Sequence, residues 1–494
     1  MFDYLKLLAL IKIIGDYTRL NNNNILIYKT IRDIDMPNEQ LCTNEIGELV
    51  KKFVHRLLDV DATIKLFVPK AIEEYNARID KAEDLYKRFT DYRNANPEQF
   101  PEYDFEELTS EEEKSNEPNA PVVCDIQEHE AIVAINKASR IYRAVGNSDI
   151  VATLSQAMFL NLYSILDAYT GELLETLYRL KPELYGQLNK SVPFEVIMKA
   201  ENIDIVKKKI LDDDIESFRR ESYIEQFKSL EKRFGLNTLT KFSYWRAFVE
   251  YSQKRNIIMH CDGIVSEQYI TVCKSVGIKE ASLPKVGEQL ELSDTDVLVA
   301  SHIIGQTGIM LAYTLWSKLF PRDKKNLDDS IHGLCYDFLY EEQWHHAAGI
   351  GEFIEKSLKT KDDATAKMNT INLCIAYKAL DKQDQLNKAI KSVDWSLLTL
   401  DFRLAESVLL GKFDQAALYM KKIGVEGDFV KRSSYHEWPL FHKFRDSPEF
   451  IEAYKDVYQE SYFPSEIIDI EEVEKLDDLV EIDKDKNVLE ELLN

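Results

Sequence analysis

The hydrophobic and polar positions of this chain alternate mostly with the period of an α-helix. Apolar residues recur at spacings of three and four over residues 46–67, 71–92, 126–145 and 151–180, and the last of these stretches stops before Pro182. This spacing places the apolar side chains on one face of a helix. Only 17 glycines and 13 prolines occur in 494 residues, so helix-breaking residues are rare. We therefore predict an all-α fold.

Two apolar stretches have features of membrane segments. Residues 1–17 are interrupted by charged residues, which favours an amphipathic helix over a signal peptide. Residues 297–317 carry no formal charge over 21 positions, a length that suits a bilayer span. However, Gly305 and Gly308 divide this stretch, and the run Ser-Asp-Thr-Asp from Ser293 is a suitable helix N-cap. We interpret it as a buried helix of the fold, with a membrane span as the alternative.

Composition divides the chain into five segments. Residues 97–121 contain nine carboxylates, one lysine and several prolines, which is typical of an exposed linker, and residues 464–494 contain twelve carboxylates and three lysines. These two segments account for most of the formal charge of −24. The predicted organisation is an N-terminal helical region at 1–96, an acidic linker at 97–121, a helical bundle at 122–330, helix-pair repeats at 331–463 and an acidic tail at 464–494.

The segment after residue 330 contains short internal similarities. Residues 380–386 align with residues 410–416 at an offset of 30, and residues 342–347 fit the second copy at an offset of 69. These degenerate helix-turn-helix units resemble tetratricopeptide-like repeats, which form concave surfaces that bind partner proteins. An irregular α-domain is the alternative.

Cysteine, histidine and glycine patterns argue against several kinds of site. Six cysteines are scattered without a Cys-x2-Cys pair, which predicts neither a zinc site nor a disulfide framework and favours a reducing cytoplasm. His345 and His346 are adjacent, and neighbouring helical residues point about 100° apart, so we assign them no metal. The sequence has no glycine-rich phosphate loop. We expect neither a metal nor a cofactor.

Residues 254–263, Lys-Arg-Asn-Ile-Ile-Met-His-Cys-Asp-Gly, carry the strongest indication of chemistry. On a helix Asn256 and His260 share a face and Arg255 flanks them by one step, so a single phosphate could meet all three. An arginine holds phosphate and a histidine moves a proton near neutral pH. Apolar Tyr244, Phe248 and Tyr251 precede the run at helical spacing and would anchor it, and Gly263 is a plausible C-cap.

The run Arg255-Asn256-x3-His260, followed by Gly-Ile-Val-x3-Tyr269, resembles the Arg-x4-6-His signature of the HEPN superfamily. The resemblance covers residues 122–330 in pattern. It implies an all-helical bundle that is commonly dimeric and that, in many members, is a metal-independent ribonuclease.

In such domains an acidic or polar residue on an earlier helix often holds the motif arginine. Asp167 is the first choice for this role, although an aspartate that faces solvent is equally compatible with the pattern. Glu250, five residues before Arg255, is a weaker candidate.

Basic residues are concentrated beside the motif. Residues 228–255 contain seven lysines and arginines against two glutamates, and Lys241, Arg246 and Lys254 are the candidates for RNA contacts. Such residues also occur on ordinary solvated helix faces, which is the alternative.

The function expected from the resemblance is RNA cleavage by internal transesterification. His260 would be the acid or base, Arg255 would stabilise the added negative charge and Asn256 would position the phosphate or the imidazole. One histidine cannot readily take both proton steps on opposite sides of the phosphate, so we expect two motifs to meet in a homodimer.

Regulation by a protein partner through the repeats, in a stress response or in defence against bacteriophage, is the setting suggested by analogy. A non-catalytic adaptor that binds partner proteins or nucleotides is the alternative function.

Overall fold

The computed structural model describes residues 44–96, 98, 127–146, 149–188, 191–360 and 362–463. Within these residues the regular elements are helices, together with one isolated antiparallel bridge between Ile264 and Gln289. The prediction of an all-α fold is confirmed. The predicted helix at 1–17, the linker at 97–121 except for Glu98, and the acidic tail at 464–494 lie outside the described residues.

The first part of the described chain forms a helical bundle. Its helices are α1 (Asn44–Ala95), α2 (Glu128–Gly146), α3 (Ile150–Leu180), α4 (Phe194–Lys199), α5 (Ile203–Arg219), α6 (Tyr223–Phe234), α7 (Trp245–Cys261), α8 (Glu267–Ser275) and α9 (Asp294–Leu319). Helices α1, α3 and α9 pack against one another at the centre. Their apolar faces begin a contiguous hydrophobic core that extends from Ile46 to Tyr454.

Helix α1 is continuous over 52 residues, where the sequence pattern predicted two successive helices. Pro69 lies inside it and removes a backbone N–H donor, which costs about 3 kcal/mol in a helix interior. Both halves are nevertheless held by neighbours. Phe53 stacks on Tyr169 of α3 with ring centroids 3.9 Å apart, and the second half packs against α2, where Tyr142 lies near Glu83. This packing offsets the cost of the proline.

Helix α9 is the central helix, and it begins at the N-cap that the sequence predicted. Ser293 Oγ accepts from the Asp296 backbone N–H at 3.1 Å, and the Asp296 carboxylate accepts from the Ser293 backbone N–H, which completes a capping box. By length and composition, α9 and the stretch Glu128–Leu180 could each cross a membrane. In α9, however, 78% of the apolar window is buried inside the protein, as expected for a core helix.

The C-terminal part is built from helix pairs. The pairs are α10 (Lys324–Tyr340) with α11 (Trp344–Phe353), α12 (Asp363–Ala379) with α13 (Gln383–Lys391), and α14 (Leu400–Leu409) with α15 (Phe413–Ile423). Helix α11 continues into a π-helical turn, Ile354–Leu358. The short helices α16 (Arg432–Glu437) and α17 (His442–Arg445) and the final helix α18 (Pro448–Tyr458) follow.

The turns of the three pairs share one geometry. Glu342, Asp381 and Gly411 each have a positive φ, at 57°, 54° and 69°. The residue after each donates its backbone N–H, at 2.8 Å, to the carbonyl oxygen five residues earlier: Gln343 to Phe338, Lys382 to Tyr377, and Lys412 to Ser407. The three left-handed residues fall at the offsets of 30 and 69 that aligned the sequence copies. This shared turn supports the predicted repeat.

Two predicted boundaries do not coincide with divisions in the structure. The boundary between residues 330 and 331 falls inside α10, and the predicted N-terminal region contributes α1 to the centre of the bundle. The reason is that α1 has its apolar face completed by α3 and α9. Hydrophobic spacing shows that a helix has an apolar face, but it does not show which helices cover that face.

Candidate active-site cleft

Helix α7 carries the Arg-x4-His motif, and its first half is anchored in the core. Of the predicted anchoring residues, Phe248 and Tyr251 are buried and Tyr244 is half-buried. Phe248 packs on Phe227 of α6 with ring centroids 5.5 Å apart. These contacts fix the position of α7, and its last two turns therefore present the motif in a defined orientation.

The helix ends at Cys261, one residue after His260. Asp262 adopts a left-handed cap conformation with φ 50°, and Gly263 follows with φ 77°. The Gly263 N–H donates to the carbonyl oxygen of Ile257 at 3.0 Å. The C-cap is therefore Asp262, one residue before the predicted Gly263, and Gly263 follows it in the left-handed region.

Gly263 also lies where two segments of the chain approach closely. Gln289 Nε2 donates to the carbonyl oxygen of Asp262 at 2.8 Å, and a Cβ atom at position 263 would lie 2.6 Å from that nitrogen. The Leu290 N–H donates to the Gly263 carbonyl oxygen at 2.9 Å. The end of α7 is thereby tied to the segment that precedes α9, and a side chain at position 263 would force Gln289 to shift.

A cleft of about 380 Å³ opens beside the motif. Arg255, Asn256 and His260 all line it, as their helical spacing predicted. Asp167 of α3 lines it too, although it lies 88 positions before Arg255 in the sequence. Other polar side chains come from the end of α5, the start of α6 and from α7 itself: Arg219, Arg220, Glu221, Ser222, Tyr223, Gln226 and Gln253.

The three motif side chains differ in how they are held. Arg255 Nη1 donates to Asn256 Oδ1 at 3.3 Å, which orients the amide so that its NH2 group is left as a donor. His260 is exposed, and its ring makes no hydrogen bond or ion pair with any residue that the structure describes. The imidazole is therefore accessible to a ligand in the cleft.

Asp167 lies in the cleft but does not pair directly with the arginine. Its Oδ1 accepts from Tyr223 Oη at 2.8 Å, and its backbone carbonyl oxygen accepts from Arg219 Nε at 3.1 Å. Burial raises the pKa of Asp167, and the Tyr223 hydrogen bond and the charge of Arg255 oppose that rise. The predicted neighbour of Arg255 is thus present, and it acts on Arg255 through the electrostatic field rather than through a hydrogen bond.

Sequence reasoning missed the tyrosines beneath Asp167. Burial and the neighbouring Asp167 raise the pKa of Tyr223, so its hydroxyl stays protonated and donates to the carboxylate. Tyr163 is fully buried, burial raises its pKa, and its Oη has no hydrogen-bond partner among the described side chains and backbone. The only local signal was Ser222, the N-cap of α6, which places Tyr223 at the first turn of a helix.

The arginines at the end of α5 were missed as well. Arg219 lies over Gly171 of α3, where a Cβ atom would be 1.9 Å from the guanidinium, so the glycine leaves room for this side chain. Arg220 forms an ion pair with Glu216. Together with Arg255 they line the cleft with three guanidinium groups. The cleft can therefore attract an anion even though the whole chain is strongly acidic.

Comparison with protein-family models, with curated proteins and with solved structures finds no significant match.

Glu250 and Lys254 do not reach the cleft. Their side chains pair with each other, with Lys254 Nζ 3.8 Å from the Glu250 carboxylate and 3.8 Å from Asp296. The Lys254 ammonium also lies 4.3 Å from the centre of the Tyr251 ring. The side chain of Lys254 is only 15% exposed, which makes it a structural contact rather than an RNA contact. Glu250 supports Lys254 instead of Arg255.

Lys241 and Arg246 lie at the opposite end of α7. Arg246 is 14 residues before His260, which corresponds to about 21 Å along a helix. Its guanidinium lies beside Gly277, after α8, and Lys241 precedes the helix. The predicted basic surface is therefore not continuous, because charges that are close in sequence are spread along the length of a helix.

No group of three histidine, cysteine, aspartate or glutamate side chains in the described part of the chain is arranged to hold a metal ion. The side chains that line the cleft carry guanidinium, amide, imidazole, phenol, hydroxyl and thiol groups, with two carboxylates. This set suits an anionic ligand better than a cation.

Proposed function

We propose that the protein is a metal-independent endoribonuclease that cleaves RNA at this cleft. The observation that carries the proposal is that Arg255, Asn256 and His260 line a cleft to which Arg219 and Arg220 add positive charge. A phosphodiester is the ligand that such a set of donors binds well, because guanidinium groups form bidentate hydrogen bonds with phosphate.

The proposed reaction forms one bond and breaks one. The ribose 2′-oxygen attacks the adjacent phosphorus, its proton passes to a base, the bond from phosphorus to the 5′-oxygen breaks and the leaving oxygen receives a proton. His260 is the accessible group that transfers a proton, Arg255 stabilises the added charge and the NH2 group of Asn256 donates to the phosphate. The products end in a 2′,3′-cyclic phosphate and a 5′-hydroxyl.

A homodimer is part of the proposal. One imidazole can transfer a proton on one side of the phosphate only, and the second proton transfer needs a group on the other side. Met259 and Ile264 flank His260 and are 48% and 47% exposed, so apolar surface is available for a second copy of the chain next to the motif. Two histidines would then face one phosphate.

The decisive experiment is cleavage of RNA by the purified protein and by His260→Ala. We expect the wild-type protein to produce cyclic-phosphate ends and His260→Ala to leave RNA intact. His129→Ala is the matched control, because His129 is an exposed histidine on α2, away from the cleft. Equal cleavage by wild type and His260→Ala would overturn the proposal.

Mixing subunits tests the composite site. If both histidines are needed, only dimers of two wild-type subunits cleave RNA, and activity should fall with the square of the wild-type fraction after exchange with His260→Ala subunits. A linear fall would contradict the shared site.

A non-catalytic adaptor is the second candidate. It is favoured by the helix pairs and by a groove of about 590 Å³ between them, lined among others by Tyr340, Trp344, Lys378 and Leu409. RNA that stays intact at high concentrations of the wild-type protein would favour this function.

A further inference from the structure

A second large cleft lies where the chain passes from α6 to α7, at the end of α7 opposite the motif. Its volume is about 680 Å³, and it is formed by the chain between α6 and α7, the C-terminal half of α9 and the π-helical turn after α11. Lys241, predicted from the sequence as an RNA contact beside the motif, lines this cleft instead. The cleft is located where the bundle meets the first helix pair.

The side chains that line this cleft carry more positive than negative charge. Lys241, Lys318, Lys356 and Lys359 line it, and Glu352 is the carboxylate that lines it with them. Glu352 already accepts from Lys356 Nζ at 2.7 Å and from a tyrosine hydroxyl at 3.1 Å. Within the described residues, the ammonium groups of the other three lysines have no ion pair or hydrogen bond. Such a concentration of cations in a chain of formal charge −24 can attract an anionic ligand.

Hydroxyl-bearing side chains form another part of the lining of this cleft. Thr238, Ser243, Thr314, Ser317 and Ser357 line the same cleft, and hydroxyl groups can donate to phosphate oxygens.

The floor is formed by buried apolar side chains. Phe242 and Phe353 meet there edge to face, with ring centroids 6.2 Å apart, and Met310 lies among the lining residues. A flat aromatic group can pack against such a floor.

The backbone that presents two of the lysines is unusual. Lys356 lies in the π-helical turn Ile354–Leu358, and Lys359 has a left-handed conformation with φ 49°. π-Helical turns within α-helices are frequently found at functional sites, and a lysine in the left-handed region costs about 1 kcal/mol or more. These features place the two ammonium groups at the same cleft.

We propose that this cleft binds a nucleoside polyphosphate. The phosphates would contact Lys318, Lys356 and Lys359, and the base would lie on the aromatic floor. The volume is within the range of small-molecule sites, and the cleft lies about 20 Å along α7 from the motif rather than forming one groove with it. These features favour a compact ligand over an RNA strand that runs between the two clefts.

Calorimetric titration of the full-length chain with ATP and with inorganic triphosphate tests the proposal. We expect saturable binding of one ATP per chain and weaker binding of triphosphate. Lys318→Ala/Lys359→Ala should weaken ATP binding about tenfold or more, because it removes two charge-assisted contacts. Lys208→Ala/Lys209→Ala is the matched control, since both lysines are exposed on α5 and lie outside the cleft, and it should change affinity by less than about twofold.

Four results would overturn the proposal. Two are the absence of ATP binding and an unchanged affinity in Lys318→Ala/Lys359→Ala. The third is competitive displacement of ATP by a short RNA, which would assign the cleft to an RNA backbone. The fourth is equal affinity for ATP and triphosphate, which would show that the aromatic floor does not bind a base. The readout is binding, so the outcome does not depend on whether the protein cleaves RNA.

Discussion

Replacement of Asp61 by asparagine should stabilise the protein at neutral and alkaline pH. Asp61 lies on α1 and is only 9% exposed, and its Oδ1 has no hydrogen-bond partner among the described residues. Burial raises the pKa of Asp61 from 3.8 to about 6. The shift is about two pKa units, and each unit corresponds to about 1.4 kcal/mol, so the ionised carboxylate destabilises the folded state by about 3 kcal/mol.

The sign of the pH dependence follows from the raised pKa. The folded protein retains the Asp61 proton that the unfolded chain loses near pH 4. The stability that depends on this bound proton is therefore fully present below about pH 4 and is lost as the pH rises through about 6. An asparagine mimics the protonated form at every pH. Above about pH 7, the free energy of unfolding of Asp61→Asn should therefore exceed that of the wild type by about 2–3 kcal/mol, a figure that allows for the cost of burying the asparagine amide. Near pH 5 the difference should be about half as large.

Urea-induced unfolding, followed by circular dichroism from pH 5 to pH 8, measures this difference. The gap between the unfolding midpoints of the variant and the wild type should widen with pH and level off above about pH 7. A difference that is independent of pH, or a variant that is less stable at pH 8, would refute the assignment of a raised pKa to Asp61.

Three further substitutions test local parts of the structure. Gly263→Ala should destabilise the protein by about 2 kcal/mol because of the positive φ and the close contact at that position, whereas Gly186→Ala, which has open space, should change stability by less than about 0.5 kcal/mol in the same thermal melt. Tyr223→Phe removes the hydrogen bond to Asp167, so the pKa of that carboxyl should rise further, as NMR titration would show, and unfolding should become easier by about 1–2 kcal/mol. Gly411→Ala should cost about 1 kcal/mol in urea unfolding because it puts a side chain on the left-handed residue of a repeat turn; no change would argue against the shared turn.

The part of the candidate site that sequence reasoning predicted is the part that lies on one helix. Arg255, Asn256 and His260 line one cleft because helical geometry sets their relative directions, and this depends only on residue spacing. The end of α7 next to Gly263 was also predictable, since the left-handed conformation favours glycine. Asp167 lines the same cleft as Arg255, but its carboxylate accepts a hydrogen bond from Tyr223 and not from the arginine that it was predicted to hold.

The residues that were missed come from other helices. Arg219, Arg220 and Tyr223 reach the cleft from the junction of α5 and α6, and the approach of that junction to α7 depends on how the helices cross. Lys241 and Arg246 were wrongly predicted to lie beside the motif for the same reason. They are near it in sequence, but they lie at the opposite end of α7, a full helix length away.

Residue spacing was enough to predict most of the helices, the helix-pair units and the face of α7 that carries the motif, because each depends on residues within one or two neighbouring elements. Which helices share the core, why α1 continues through Pro69, and which charges meet in a cleft became clear from the packing of the helices. These features arise from packing between elements that are distant in sequence, and local periodicity carries no information about that packing.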